Sequence, residues 1–355
     1  IANPDKISDG FILEGEYSMF SAYLINPPTG DPGVYLEILY RKEAILFDLG
    51  DLHALPPRQI RKIRHIFVSH THMDHFIGFD HLLRICLGRN QHIALFGPSG
   101  FLKNVESKLG AYTWNLVKNY TNDFELAVTE LSESFRTTRK YRCQNGFVAE
   151  DETIMTVSNS EIIDHPTYVV RAAFLDHKIP SLAFSFEEKT RLNVKKNVLQ
   201  AMGLRPGPWI TGFKDQIIRH EPDWTPVPIW WKNADGMRQE TKLPLGLLSE
   251  KAVKISTGRK VCYITDAIWN RQNIDKMLRL AHGSELLFIE APFLDKDVKT
   301  AEDKYHLTAR QAGTLASMAE VKRFILFHYS PKYRGVEALL NEEAFAAFQQ
   351  AKTAL

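Results

Sequence analysis

Ile66-Phe67-Val68-Ser69-His70-Thr71-His72-Met73-Asp74-His75 is the stretch on which the reading of this chain turns. A short apolar run, which reads as the end of a buried strand, passes directly into three imidazoles and a carboxylate within six residues. A packed core has little use for such a cluster. His70 and His72 stand two residues apart and in extended chain project to the same side, while Asp74 and His75 can open the next helix and point back. One loop of this kind can serve two metal ions. Nitrogen and oxygen donors without thiolates suit zinc, manganese or iron in an open, reactive site better than in a closed structural one.

Working outward, Phe11-Ile12-Leu13, Val34 to Tyr40 and Ala44 to Phe47 read as strands, broken by the turn-rich Asn26 to Gly33. Asp48 closes the third run at a strand end, where sites of layered α/β chains collect; taken alone it reads equally as an Asx turn. A basic connector (Arg58, Arg61, Lys62, Arg64) leads into the histidine-rich loop, and a helix is expected from that loop through about Leu87. The strand His92 to Phe96 follows. Strand and helix keep alternating, which predicts an α/β (α+β) architecture in layers. Further strands end at Asp176-His177, Thr265-Asp266, Glu290 and His328. A helix from Thr308 to about Glu320 begins just after His306, and a closing helix is expected through Ala346.

With 355 residues, 44% hydrophobic and 24% charged, the chain is expected to form a single domain over 1–355. No apolar run approaches the ~18 to 20 residues a membrane helix needs. Ile1 to Gly10 lacks a basic-then-apolar signal, so a cytoplasmic protein without membrane attachment is expected. Cys86, Cys143 and Cys262 are far apart and form no CxxC pair, which predicts reduced structural thiols. A net charge of +2 leaves nucleic-acid binding to local clusters.

Residues 191–250 differ in composition, being rich in Pro, Gly, Trp, Lys and Arg, and read as an inserted arm rather than a second domain. Trp209, Trp224, Trp230 and Trp231 are expected to be exposed there. Arg191, Lys195, Lys196, Arg205, Lys214 and Arg219 give the arm a basic surface able to follow a phosphate backbone, and Trp209 is placed to stack a base. Arg136, Arg139, Lys140 and Arg142 form a second basic cluster.

The ordered set Asp48, His70 to His75, His177, Asp266 and His328 resembles the metallo-β-lactamase superfamily, which implies an αββα sandwich with a binuclear site along one sheet edge. Within it the chain looks like the ribonuclease Z branch, on Leu95-Phe96-Gly97-Pro98, the turn Gly203 to Pro208, Tyr305-His306-Leu307-Thr308 and His328-Tyr329-Ser330-Pro331. It departs from that branch at Thr265-Asp266-Ala267, at Leu182-Ala183-Phe184, and in lacking a glycine-rich opening around Phe20 to Ile25. The resemblance implies one divalent ion on His70, His72 and His177, a second on Asp74, His75 and His328, and Asp266 between them. Zinc is the first choice, with manganese or iron as alternatives. Asp74 would also accept the attacking water's proton or hold that water in line, and Asp48 would orient a ligand imidazole from behind. His306 is the candidate general acid or oxyanion donor near the leaving group, with Glu290 orienting it. The branch implies an arm that grips precursor tRNA, cleavage of its 3′ trailer, and a homodimer in which one subunit's arm serves the other's site. A hydrolase of a small phosphodiester, lactone or sulfate ester is the alternative. An inactive RNA-binding scaffold is a third reading, against which the complete ligand set weighs.

Overall fold

The apolar runs become the strands of two sheets in a computed structural model that describes residues 20–39, 41–157, 160–232 and 236–354. The expected strand Phe11-Ile12-Leu13 lies outside the described residues. The first sheet holds β1 (Phe20–Leu24), β2 (Val34–Ile38), β3 (Glu43–Phe47), β4 (Ile63–Phe67), β5 (Gln91–Gly97), β6 (Phe124–Leu131), β7 (Phe135–Arg142) and β8 (Ala149–Thr156), side by side in chain order. Its centre, β3 to β6, is parallel and its flanks are antiparallel.

Next in the chain come β9 (Glu161–Asp164), β10 (Tyr168–Asp176) and β11 (Pro180–Glu188). Two small pairs follow, β12 (Thr190–Val194) with β15 (Val253–Thr257) and, between them in sequence, β13 (Pro226–Lys232) with β14 (Arg238–Pro244). The chain then forms β16 (Lys260–Ile264), β17 (Leu286–Glu290) and β18 (Phe324–Phe327), giving a second large sheet in the order β18-β17-β16-β11-β10-β9. The parallel strand β17 is buried along its whole length, as a strand covered on both faces must be.

An aromatic layer fills the space between the two large sheets. Phe184 of β11 packs on Phe47 and Phe67 at ring distances of 5.8 and 5.5 Å, and Tyr263 of β16 stacks on Phe47 at 5.8 Å. Helices Phe79–Cys86 and Phe101–Gly110 cover the outer face of the first sheet. Helices Arg271–Ala281, Ala309–Met318 and Ala338–Ala354 cover that of the second. The expected αββα sandwich is what the chain forms; its closing helix runs past Ala346 to Ala354.

The helix expected from the histidine-rich loop through Leu87 is broken into Met73–Phe76 and Phe79–Cys86. Gly78 explains the break. Its N–H donates to the Leu49 carbonyl at 2.8 Å, and a Cβ there would lie 2.1 Å from the Gly50 carbonyl oxygen. Only glycine allows the chain to close on the turn at Asp48 this tightly. Leu49 N–H in turn donates to the His75 carbonyl at 2.9 Å, so the two loops are laced together.

The chain divides into two compact units, one of residues up to 162, 171–186 and 260 onward, the other of 163–170 and 187–259. The second has an apolar core of its own, with Leu199, Phe213, Val227, Ile229 and Leu248 fully buried. Here the expected exposure of the tryptophans needs correction. Trp224 is 80% exposed, but Trp230 and Trp231 are partly covered and Trp209 is 4% exposed. Trp209 and Phe213 stand one helical turn apart on helix Trp209–Ile218 and face that core, and the Trp209 indole N–H donates to the Arg205 carbonyl at 2.9 Å. Trp209 therefore holds the unit together and is not available to stack a base.

Candidate metal centre

Parallel strands of a two-sheet sandwich present their C-terminal ends along one edge, and the chemistry gathers there. β3 leads to Asp48, and β4 leads to His70, His72, Asp74 and His75. β10 leads to His177, β16 to Asp266, β17 ends on Glu290, and β18 leads to His328. His306 arrives just ahead of helix Ala309–Met318, whose start is fixed by a capping box between Thr308 and Gln311. All of these lie in the first compact unit.

The donor atoms of His70, His72, His177 and Asp266 lie within 4.8 Å of one another, as do those of Asp74, His75 and His328. Asp266 faces both. Its Oδ2 lies 3.3 Å from His177 Nε2 and 3.6 Å from His70 Nε2, while its Oδ1 lies 2.9 Å from His328 Nδ1 and 3.5 Å from His75 Nε2. Asp266, Glu290, His306 and His328 make a third such group.

The outward nitrogens are held by acceptors. His75 Nδ1 meets Asp48 Oδ2 at 2.7 Å, and His177 Nδ1 meets the Tyr305 carbonyl at 2.7 Å. His306 Nδ1 meets Glu290 Oε2 at 2.7 Å. Asp48 is itself fixed by the Ser69 N–H at 2.6 Å, the Ser69 hydroxyl at 2.8 Å and the Tyr263 hydroxyl at 2.7 Å. Glu290 accepts from Ala267 N–H and Leu307 N–H through Oε1.

Two buried nitrogens point inward without a hydrogen-bond partner among the described residues, His70 Nε2 and His75 Nε2. A buried, unpartnered ring nitrogen costs free energy unless something accepts its lone pair or proton. Here those atoms face carboxylates and further imidazoles, and the donor set is nitrogen and oxygen throughout. The residues fit divalent cations.

Electrostatics agree. Burial, together with the neighbouring His75, presses His70 down to about 2, so its lone pair is free. Burial opposes charge on His75 as well, but Asp266 and Asp48 outweigh it and hold the imidazole at about 10. His328 is likewise raised, against its burial, by Asp266 and Asp74. Burial would push Asp74 up, yet its hydrogen bond to His328 and the charge of His75 take it well below the usual carboxylate range. The site is thus a dense set of carboxylates that draws positive charge, protons or metal alike.

Ser69, Tyr263 and Tyr305 were not anticipated. Ser69 could have been suspected from its place directly before His70; Tyr263 reads only as an apolar strand residue, and Tyr305 acts through its backbone. The anticipated arm cations fall in the second compact unit. Lys195, Lys196 and Arg205 are exposed there, Lys214 is half-buried, and the side chain of Arg191 lies outside the described set. The basic cluster on β7 is largely neutralised. Arg139 pairs with Glu106 and Glu152, and Arg142 with Glu125 and Glu150.

No family model matches the chain. Among curated proteins, ribonuclease Z of Rippkaea orientalis is 30% identical over 322 residues, covering 88% of this chain and 84% of that protein. The chain belongs to the ribonuclease Z family. Ribonuclease Z of Deinococcus radiodurans is 28% identical over 322 residues, 89% of this chain and 92% of that protein. Among solved structures, the metallo-β-lactamase fold protein YhfI from Bacillus subtilis superposes with a TM-score of 0.51 over 93% of each chain, at 12% identity. That likeness shows the fold alone. None of the described helices is long and apolar enough to cross a membrane.

Proposed function

We propose that the protein is a metal-dependent endoribonuclease that removes the 3′ trailer of precursor tRNA, acting in the cytoplasm. The observation that carries this reading is Asp266, which turns one carboxylate oxygen to each of two donor groups in a ribonuclease Z family chain. His70, His72 and His177 would hold one divalent ion and Asp74, His75 and His328 the other, with Asp266 shared; zinc is the first candidate. Such a pair of ions, when bound, makes a nucleophile from water near neutral pH and offsets the charge that builds on the phosphorus oxygens.

The chain's own groups do the rest. Asp74, kept ionised beside His328 and half-exposed at the rim, can accept a hydrogen bond from the attacking water and hold it in line. His306 has its Nδ1 on Glu290, and Glu290 with Asp266 raises its proton affinity against the effect of burial. Its other nitrogen can then deliver a proton to the leaving oxygen as the phosphorus–oxygen bond breaks. Asp48 fixes His75 through Nδ1, which leaves Nε2 inward.

We assign residues 191–250 as the arm that holds the RNA body through Lys195, Lys196, Arg205 and Lys214, in a homodimer where it serves the partner's site. The test compares a Lys195→Ala, Lys196→Ala, Arg205→Ala, Lys214→Ala variant with the wild type on two substrates. Cleavage of precursor tRNA should fall at least tenfold, with a weaker dependence on salt, while turnover of an aryl phosphodiester stays level. Equal behaviour on both substrates would remove the arm from the account and favour the alternative of a small-ester hydrolase.

A further inference from the structure

The basic connector ahead of β4 is not used by the metal centre. It lines an open hollow of about 490 Å³ with residues from three segments: Arg58, Arg61, Lys62 and Arg64 from the short helix Pro57–Ile60, the turn after it and the start of β4, Arg89, Asn90 and Gln91 from the loop before β5 and its first residue, and Asn122 from the loop before β6. Five cations converge there. Lys62 is matched by Glu37. Arg64 and Arg89 donate only to backbone carbonyls, of Arg61 and Ile85, and among the described residues no carboxylate pairs with Arg58, Arg61, Arg64 or Arg89.

The hollow is held in shape by hydrogen bonds. Gln91 is 4% exposed, and its side-chain amide donates to the Arg61 carbonyl at 3.2 Å and the Ile63 carbonyl at 2.9 Å. Its backbone N–H donates to the Asp123 carbonyl, and Asp123 N–H donates to the Asn90 side chain at 2.8 Å. Three segments are thereby tied together around four arginines that have no carboxylate partner among the described residues. Like charges gathered around one hollow repel, and a concave wall of one sign concentrates the field. In a chain whose net charge is only +2, that arrangement asks for an anion. Guanidiniums in number, with the amides of Asn90 and Asn122 alongside, match the oxygens of linked phosphates better than those of a single carboxylate.

We infer that this hollow binds an oligophosphate at a site separate from the metal centre. The two sit at opposite ends of β4, whose five residues span about 16 Å, so the scissile phosphate cannot occupy both. The phosphates belong either to a nucleic-acid backbone or to a free oligophosphate.

The test is calorimetric titration of the metal-loaded protein with tripolyphosphate. An Arg61→Ala, Arg64→Ala, Arg89→Ala variant should bind roughly tenfold or more weakly at one site, and Asn122→Asp, which sets a carboxylate in the hollow, should weaken the same site. A Lys103→Ala, Lys118→Ala control should change nothing. His72→Ala should leave this site intact, which separates it from phosphate held at the metal centre and from the proposed catalysis. Equal affinity in the wild type and both pocket variants, or loss of all binding in His72→Ala, overturns the inference. Displacement of tripolyphosphate by a short single-stranded RNA assigns the phosphates to a nucleic-acid backbone; retention assigns them to a free oligophosphate. Both of these results uphold the site.

Discussion

Asp48 Oδ2 lies 2.7 Å from His75 Nδ1, both side chains wholly buried. Asp48 sits at φ 60°, a left-handed conformation uncommon outside glycine, so the backbone is bent to bring this carboxylate behind the ring. Asp48→Asn keeps the shape and removes the charge. Metal affinity should fall about 10- to 100-fold. Competition against a chromophoric chelator measures it, and an unchanged affinity would reduce Asp48 to a turn residue.

The same carboxylates set a pH dependence. Burial lowers the proton affinity of His75, but Asp266 and Asp48 raise it to about 10, and His328 is raised against its burial by Asp266 and Asp74. A cation must displace these protons, so below about 10 the two compete. Apparent metal affinity should rise with pH by about tenfold per unit for each proton released. Metal titrations across the neutral to mildly alkaline range read this slope directly; a flat profile would show that the histidines are already deprotonated.

Gly78 is where the chain behind the histidine-rich loop closes on the turn at Asp48. Gly78→Ala puts a methyl against the Gly50 carbonyl and should cost roughly 1–3 kcal/mol of stability, seen in thermal melts. Because Leu49 and His75 are bonded across this contact, metal affinity should weaken in step. A destabilised protein with unaltered metal binding would separate the fold from the site.

Much of the site is legible in the sequence for a simple reason. Strand ends and dense polar clusters leave local marks, so His70 to His75 stand out by themselves, while Asp48, His177, Asp266 and His328 gain meaning only as an ordered set that resembles a known superfamily. The helix break at Gly78 is not legible in that way, since it depends on a contact with Gly50, nearly thirty residues away. Trp209 misleads because proline, glycine and lysine around it suggest solvent, whereas its spacing from Phe213 turns it inward. Tyr263 is hidden because only its hydroxyl, reaching Asp48 from the other sheet, distinguishes it from core.

His306 and Glu290 pose the question the third donor group raises. If they move protons, His306→Ala and Glu290→Gln should each lower kcat by about 10²- to 10⁴-fold while metal content stays at the wild-type level. Loss of metal together with activity would instead make Asp266, Glu290, His306 and His328 a metal site.

The most direct test of the account is cleavage of a 3′-extended tRNA by the metal-loaded protein, with the cut mapped at nucleotide resolution and His72→Ala run in parallel. A single endonucleolytic cut where the trailer begins, absent from His72→Ala, is the result expected. An intact precursor alongside rapid turnover of a small phosphodiester, or a cut that survives His72→Ala, would contradict it.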